Sequence, residues 1–243
     1  MLGYLKDVMR RIRIDRMRRK SASSPLPEFM GGGILIVAPH PDDEVLGCGG
    51  LIARLCDCGC APHVVYMTGG EGSHRGCCDT PPEKIISARR HLTSLAMPVL
   101  GLLAENIHQL DYPDGRIAFD SLQTDRLRSL VAELDPEYIL VPHWGEGWPD
   151  HVNTADIVKR ITAGSRAQIF EYCVWLWYYN VNNLDWTNAR MLPLTTSELA
   201  RKQSAVDVYT LPCAPCGKPW SGVLPRVFVE ANYSDKELYF KVR

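Results

Sequence analysis

Short apolar runs and amphipathic stretches alternate along most of this chain. The first run, from Ile34 to Ala38, is entirely aliphatic and lies between three glycines and Pro39, so it predicts a fully buried strand. Similar runs predict strands at 62–67, 106–110, 137–141 and 168–174, and helices at 46–57, 83–96, 120–134 and 151–162. This alternation indicates an α/β sandwich of three layers, with a mostly parallel sheet and helices on both faces.

The alternation fades after Leu192, where prolines interrupt the sequence. Residues 197–209 still predict a helix, and residues 227–230 predict a last strand. A chain of 243 residues with 46% apolar composition can bury a substantial core, which favours one large domain over two small ones. We place that domain at 29–243, after a basic segment and a Ser/Pro-rich linker that together occupy 1–28.

Polar residues follow the C-terminal ends of four predicted strands. In a parallel sheet these ends meet at one edge, where ligands bind. His40 and Asp43 follow the first strand, and burying such groups is unfavourable unless a cation or a partner compensates their charge. Together with one more imidazole they suit Zn²⁺, with a position left for water. His151, which follows the fourth strand, is the candidate for that third ligand.

Two motifs carry a family resemblance. Pro39-His40-Pro41-Asp42-Asp43-Glu44 follows the first strand, and Pro149-Asp150-His151 begins a later helix. With these motifs the chain resembles the PIG-L/LmbE-like zinc-dependent N-deacetylases over roughly residues 33–230. The resemblance implies a Rossmann-like fold and a metal-dependent amide hydrolase. In it, His40, Asp43 and His151 bind Zn²⁺ or another divalent transition metal, and Asp42 is the general base. Asp150 is expected to orient a metal-bound imidazole.

One departure from the family concerns the oxyanion of the tetrahedral intermediate. Trp148 stands where the family often has a histidine that stabilises this oxyanion, and an indole cannot replace it electrostatically. Because losing one oxyanion donor typically costs about 10²–10³ in rate, we predict that His143 supplies the contact instead. Glu71, Arg75 and Asp114, on loops after the second and third strands, are candidates for sugar-hydroxyl contacts. The alternative for these three is that they are merely solvated loop charges.

The charge of the chain is unevenly distributed. The net charge is -1, yet the first twenty residues hold eight basic residues and two acidic ones. An apolar stripe runs along the same segment, formed by Leu2, Leu5, Val8, Met9 and Ile12. Such a helix suits an anionic membrane surface, or it packs its stripe on the domain or on another subunit, and the sequence leaves both open. No apolar run is long enough for a secretory signal or a membrane-spanning helix.

The cysteines indicate a reducing compartment. Nine irregularly spaced cysteines in a chain of this size are expected to be mostly free thiols, so we predict a cytoplasmic protein, with peripheral membrane binding through residues 1–20 as an option. Cys213 and Cys216 form a CxxC pair without a partner pair. The alternating cysteines at 56–60 lack CxxC spacing altogether, so neither group predicts a structural zinc site.

The resemblance also implies a substrate. We expect removal of the acetyl group from an N-acetylglucosamine-type sugar in a glycoconjugate or lipid-linked precursor, as part of glycoconjugate biosynthesis. One alternative is an amide hydrolase acting on a thiol conjugate or an antibiotic precursor. Another is a catalytically degenerate sugar-binding protein, which Trp148 would suit. No nucleic-acid partner is expected, and the oligomeric state is left open.

Overall fold

A single sheet organises the molecule. The computed structural model describes residues 2–20, 32–179 and 181–242. Within them, seven strands form one sheet: β1 (Ile34–Ala38), β2 (His63–Thr68), β3 (Ile107–Tyr112), β4 (Tyr138–Pro142), β5 (Gln168–Tyr172), β6 (Ala189–Pro193) and β7 (Lys236–Lys241). Their order is β3-β2-β1-β4-β5-β7-β6. The first five strands pair in parallel, and β7 pairs antiparallel with β5 and β6.

Helices cover both faces of the sheet. The described helices are α1 (Leu2–Lys20), α2 (Asp43–Asp57), α3 (Pro82–Val99), α4 (Leu122–Leu134), α5 (Pro149–Ile161), α6 (Thr196–Thr210) and α7 (Arg226–Asn232). Alternate residues of β1 point to opposite faces, as a strand requires. Ile34 and Ile36 pack in a core shared with α2, α3 and α6, whereas Leu35 and Val37 pack with α4 and α5. The predicted α/β sandwich with a mostly parallel sheet is therefore confirmed.

The predicted elements between β1 and β5 are all present, with ends shifted by at most three residues. The predicted strand at 227–230 is wrong, because these residues lie inside α7. The three apolar residues Val227, Phe228 and Val229 are too few to distinguish strand from helix, and Pro225, immediately before the first helical turn, favours a helix start. The strand that follows is β7, which the sequence analysis did not predict, and β6 was missed as well.

The basic segment forms α1, which packs on the domain. Ile14 and Met17 are buried against Leu176 and other apolar residues near β6, β7 and α7. Leu5 and Met9 of the predicted stripe stay 60% and 61% exposed. Ile14 and Met17, which pack on the domain, lie outside the predicted stripe, and the exposure of Leu5 and Met9 keeps the membrane prediction open. The predicted linker lies outside the described residues. Among the residues described, no helix has both the length and the apolar character needed to span a bilayer.

Candidate active site

The candidate site lies where the strand order of the sheet reverses. After β1 the chain builds β2 and β3 on one side of it, and β4 then pairs with the other side. In open α/β sheets, ligands bind in the crevice outside the carboxyl ends of the strands at this reversal. His40 to Asp43 leave the end of β1, and His151 lies in the first turn of α5, which follows β4. The topology therefore brings the two sequence motifs together.

Three predicted metal ligands converge on one point. The Nδ1 atom of His40 lies 3.2 Å from Oδ2 of Asp43, and Nε2 of His151 lies 3.3 Å from the same oxygen. Ligands about 2.0–2.1 Å from a tetrahedral ion are separated by roughly 3.3–3.4 Å. The two distances to the Asp43 oxygen thus match ligands around one small cation, and the two ring nitrogens lie within 4.8 Å of each other. Two imidazoles and a carboxylate also leave a fourth position, as catalytic zinc sites do.

The other nitrogen of each ring faces a carboxylate. His40 Nε2 lies 3.2 Å from Asp114 Oδ1 and 3.4 Å from Asp150 Oδ2. His151 Nδ1 lies 3.4 Å from Glu146 Oε2, and Glu146 is fully buried. Such outer carboxylates fix the orientation of metal-binding imidazoles. Asp150 and Asp114 both contact the ring of a candidate ligand, and the predicted orienting role of Asp150 stays a prediction.

The electrostatics of this cluster favour a positive charge. Burial by itself would lower the pKa of the His151 ring, but the carboxylates of Asp43 and Glu146 raise it to about 9. Burial acts on His40 in the same direction, yet hydrogen bonds to the surrounding carboxylates keep its pKa well above the ordinary value. The carboxylates therefore leave a net negative charge in this cluster when both imidazoles are neutral. A divalent cation held by the three donors would compensate it.

Asp42 is held beside this cluster in a strained conformation. Its backbone has φ 131°, a region that non-glycine residues rarely adopt. The buried Glu44 carboxylate accepts the Asp42 N–H at 2.9 Å, and Arg89 contacts an Asp42 carboxylate oxygen at 3.0 Å and donates to the Pro41 carbonyl. Burial raises the pKa of the Asp42 carboxyl to about 7, although the charge of Arg89 opposes this shift. Strain and a raised pKa are both typical of functional sites.

A cavity of about 480 Å³ opens above these residues. Its lining includes His40, Asp42, Asp43 and His151 at one end and an aromatic wall elsewhere. The wall residues pack on each other: the rings of Trp148 and Trp175 have centroids 5.6 Å apart, and those of Trp175 and Phe228 lie 4.0 Å apart. The cavity is therefore large enough for a small organic ligand and combines apolar faces with a polar end.

The predicted substrate contacts are placed differently from one another. Arg75 lines the cavity, and its guanidinium lies 3.3 Å from the Asp114 carbonyl oxygen. Glu71 accepts the Asp114 N–H at 2.8 Å and does not line the cavity. Its geometry therefore supports a role in holding the loop at Asp114 and not a contact to a ligand.

The structure does not bring His143 to the cavity. This ring is buried, with its centroid 4.7 Å from that of Phe240, and Nδ1 accepts the Gly145 N–H at 2.9 Å. The other nitrogen lies 3.5 Å from Glu171. Burial, with a further contribution from the charge of Lys159, lowers the pKa of His143 to about 3, so the ring is neutral. This geometry gives no support to the predicted oxyanion contact.

Two residues of the site escaped the sequence analysis. Arg89 is 3% exposed and pairs with Asp42, although it lies on α3, far from both motifs in sequence. Trp175 belongs to the aromatic stretch at residues 172–179, in which its neighbour Leu176 is buried while Trp175 lines the cavity. An arginine within a helical apolar pattern was the one available signal for Arg89. No sequence pattern distinguished Trp175 from its neighbours.

Comparison with known proteins finds a family match and two curated relatives. The family model described as PIG-L, GlcNAc-PI de-N-acetylase, matches residues 35–162. Diacetylchitobiose deacetylase of Thermococcus kodakarensis is 31% identical over 121 residues, covering 49% of this chain and 44% of that protein. The 1D-myo-inositol 2-acetamido-2-deoxy-alpha-D-glucopyranoside deacetylase of Corynebacterium diphtheriae is 23% identical over 156 residues, covering 55% and 53%. The chain thus spans about half the length of these curated relatives.

A solved structure shares the fold. N,N'-diacetylchitobiose deacetylase from Pyrococcus horikoshii, in complex with its inhibitor MPG, aligns with a TM-score of 0.61 at 20% sequence identity. The alignment covers 79% of this chain and 74% of that chain. The family match takes in both motifs and more than half of the sequence. The chain therefore belongs to the PIG-L family, described as GlcNAc-PI de-N-acetylase.

Proposed function

We propose that this chain is a metal-dependent hydrolase that removes the acetyl group from an N-acetylated amino sugar. The observation that carries the proposal is the convergence of His40, Asp43 and His151, with the Asp42 carboxylate beside them, at the polar end of a cavity. The names of the curated relatives, both deacetylases of acetylated sugars, support the reaction and the substrate class.

Zn²⁺ fits the donors present, which are two imidazole nitrogens and one carboxylate oxygen. The nitrogens of His40 and His151 lie 3.2 and 3.3 Å from the Asp43 oxygen. Bound there, the ion supplies Lewis acidity toward the amide carbonyl and lowers the pKa of water to about 7. The same donor set accommodates other divalent transition metals.

The remaining chemistry belongs to the side chains. Water adds to the amide carbonyl carbon, the C–N bond breaks, and the amine leaves with a proton while acetate is released. Asp42 is the group that takes the proton from the water and returns it to the amine nitrogen, because its carboxylate lines the cavity beside the three donors without being one of them. Arg89 and Glu44 hold Asp42 in its strained position, and the Arg89 charge favours the ionised form that a base requires.

The aromatic wall suggests how a sugar binds. Trp148 is 44% exposed and lines the cavity together with Trp175 and Phe228, so a pyranose ring can lie against these faces. Arg75 and Asp114, which also line the cavity, offer hydrogen bonds to hydroxyl groups. An N-acetylglucosamine-type sugar matches this combination of apolar face and polar rim.

A lipid-linked or otherwise conjugated sugar is the more specific substrate proposed. A second cavity, of about 610 Å³, runs along α1. It is lined by apolar, basic and tyrosine side chains, namely Leu5, Met9, Ile12, Lys6, Arg10, Arg13, Arg16, Tyr178 and Tyr179. Exposed apolar side chains beside basic ones suit an anionic lipid surface. Peripheral contact with a membrane would present such a substrate to the enzyme.

The test is acetate release from a panel of N-acetylated sugars, with zinc measured by elemental analysis. We expect Asp42→Asn to lower kcat by about 10²–10⁴-fold while zinc content stays the same. His151→Ala should lose one equivalent of zinc and the activity. Asp156→Asn is the matched control, since Asp156 lies on the same helix as His151 and its side chain is 52% exposed. This control should keep both the rate and the metal.

Two results would contradict the proposal. Parental turnover in Asp42→Asn would remove Asp42 as the base. Zinc and sugar binding without acetate release, in parent and variant alike, would instead support a degenerate sugar-binding protein, the alternative suggested by Trp148.

A further inference from the structure

A second group of metal-binding side chains lies apart from the cavity's imidazoles and carboxylates. His74 ends a short 3₁₀ turn after β2, and Cys77 and Cys78 follow it directly. Cys216 comes from the loop after α6, more than a hundred residues later. One donor atom from each of these four residues lies within 4.8 Å of all the others.

The distances within this group match those of a tetrahedral thiolate site. The sulfurs of Cys77, Cys78 and Cys216 lie 3.3, 3.4 and 3.6 Å from His74 Nδ1, and the sulfurs of Cys77 and Cys78 are 3.8 Å apart. With Zn–S near 2.3 Å and Zn–N near 2.0–2.1 Å, tetrahedral ligands are separated by about 3.5 Å for N to S and about 3.8 Å for S to S. These four distances are therefore close to the separations that one zinc ion imposes, and the two remaining donor pairs lie within 4.8 Å.

The orientation of the histidine supports the same conclusion. Nε2 of His74 lies 3.0 Å from the Pro219 carbonyl oxygen, which only accepts hydrogen bonds, so Nε2 carries the proton. Nδ1 therefore presents its lone pair to the three sulfurs. A backbone carbonyl that fixes the tautomer in this way is the usual outer partner of a metal-binding imidazole. The ring is 2% exposed and packs edge-on against Trp220, so its position is well defined.

The cysteines of this group form no disulfide. All nine cysteines of the chain are free, and the 3.8 Å between the sulfurs of Cys77 and Cys78 is far from a bond of about 2.05 Å. Cys213, the other member of the CxxC pair, is exposed and directs its sulfur toward the Leu211 carbonyl. The CxxC pair therefore contributes one ligand, Cys216, and the other three ligands come from residues 74–78.

We propose that His74, Cys77, Cys78 and Cys216 bind a second divalent metal ion, Zn²⁺, in a structural site. Three thiolates and one imidazole complete the tetrahedron, so no position is left for water or substrate, which distinguishes it from the site in the cavity. The ion joins the segment after β2 to the segment after α6.

The thiolate site lies beside the candidate active-site cavity. The two segments are already in contact beside the metal ligands, since Ser73 Oγ donates to the Trp220 carbonyl at 3.0 Å. The candidate active-site cavity is lined in part by Ser73, which directly precedes His74. Ser221 and Gly222, which follow Cys216 in the same loop, line it as well. Metal at the thiolate site thus fixes one wall of the cavity without taking part in the reaction. The binding proposal does not depend on the proposed activity.

Cobalt substitution tests the site directly. The full-length protein, stripped of metal and reduced, is titrated with Co²⁺ while the thiolate-to-metal charge-transfer absorption in the near ultraviolet is recorded. The cavity site holds no sulfur, so this absorption reports the thiolate site alone. We expect the band in the parent, in His151→Ala and in Cys213→Ser. Cys216→Ser should weaken it and reduce the affinity for Co²⁺ by more than about tenfold. Added Zn²⁺ should abolish it.

A second measurement needs no variant. Peptide mapping after alkylation of the metal-free parent, with and without Zn²⁺, should show Cys77, Cys78 and Cys216 protected by Zn²⁺ and Cys213 equally reactive in both samples. The absence of a thiolate band in the reduced parent would overturn the proposal. So would an equal loss of the band in Cys213→Ser and Cys216→Ser, or alkylation that Zn²⁺ does not change.

Discussion

A buried ion pair behind the active-site helix provides a quantitative test of the structure. Lys202 on α6 and Glu237 on β7 have side chains 2% and 1% exposed, and Nζ lies 2.7 Å from Oε1. The same carboxylate accepts the N–H groups of Gly50 and Leu51 in α2 at 2.8 and 3.0 Å. Glu237 thus ties the sheet to the helix whose first residue is Asp43.

Replacing Lys202 with methionine keeps most of the side-chain volume and removes the charge. The Glu237 carboxylate then stays buried with its hydrogen bonds to α2 but without a cation. Removing one partner of a buried pair costs about 3–5 kcal/mol, a large part of the roughly 5–15 kcal/mol by which a protein of this kind is stable. For a chain of this size the loss corresponds to a fall in Tm of roughly 6–20 °C.

The assay is thermal and denaturant unfolding of Lys202→Met and of the double variant Lys202→Met/Glu237→Gln. The double variant should recover much of the loss, because it leaves no unpaired charge. The control is Arg166→Met, which breaks an exposed pair with Asp135 and should cost about 0–1 kcal/mol. Should Lys202→Met cost no more than this control, or the double variant be less stable than the single one, the buried pair does not stabilise the fold as argued.

Two further outcomes concern the edge of the cavity and the basic helix. We expect Trp148→His to increase kcat for acetate release by up to about 10²–10³-fold, because it restores an oxyanion donor. An unchanged kcat at unchanged zinc content would mean that another group already stabilises the oxyanion. We expect Leu5→Glu/Met9→Glu to reduce co-sedimentation with vesicles that contain anionic lipid. Leu122→Glu, at a comparably exposed apolar position, should not reduce it, and equal effects of the two changes would refute a specific lipid contact.

The parallel half of the sheet was predictable because each of its strands is a short apolar run bounded by turn residues. The antiparallel half was not, since β7 has the sequence Lys-Glu-Leu-Tyr-Phe-Lys, in which a glutamate looks exposed. The burial of Glu237 depends on Lys202, the Tyr239 hydroxyl and the amides of α2, which all contact its carboxylate. Its burial is decided by tertiary contacts that a local pattern does not contain.

The same distinction applies to the candidate sites. His40, Asp42 and Asp43 are consecutive or nearly so, and topology alone brings His151 to them, so a parallel sheet was enough to predict their proximity. The thiolate group is different, because Cys216 approaches residues 74–78 through the path of the irregular C-terminal segment. A structural zinc site is recognised in a sequence by two closely spaced pairs of ligands, such as two CxxC motifs. Here, one member of the CxxC pair takes part and the other does not.

The contrast between His143 and His151 shows how direction decides function within one loop. His143 continues the end of β4: its N–H donates to the Tyr172 carbonyl of β5 at 2.9 Å, as in a strand, and its ring is directed into the core against Phe240. Successive residues of a strand point to opposite faces, so lying near a strand end does not bring a side chain to the carboxyl edge. His151 reaches that edge because α5 begins at Pro149, whose fixed φ suits the first helical position, and the first helical turn carries its imidazole to Asp43. A histidine in this loop therefore joins the candidate active site when the helix start presents it, and the core when the strand does.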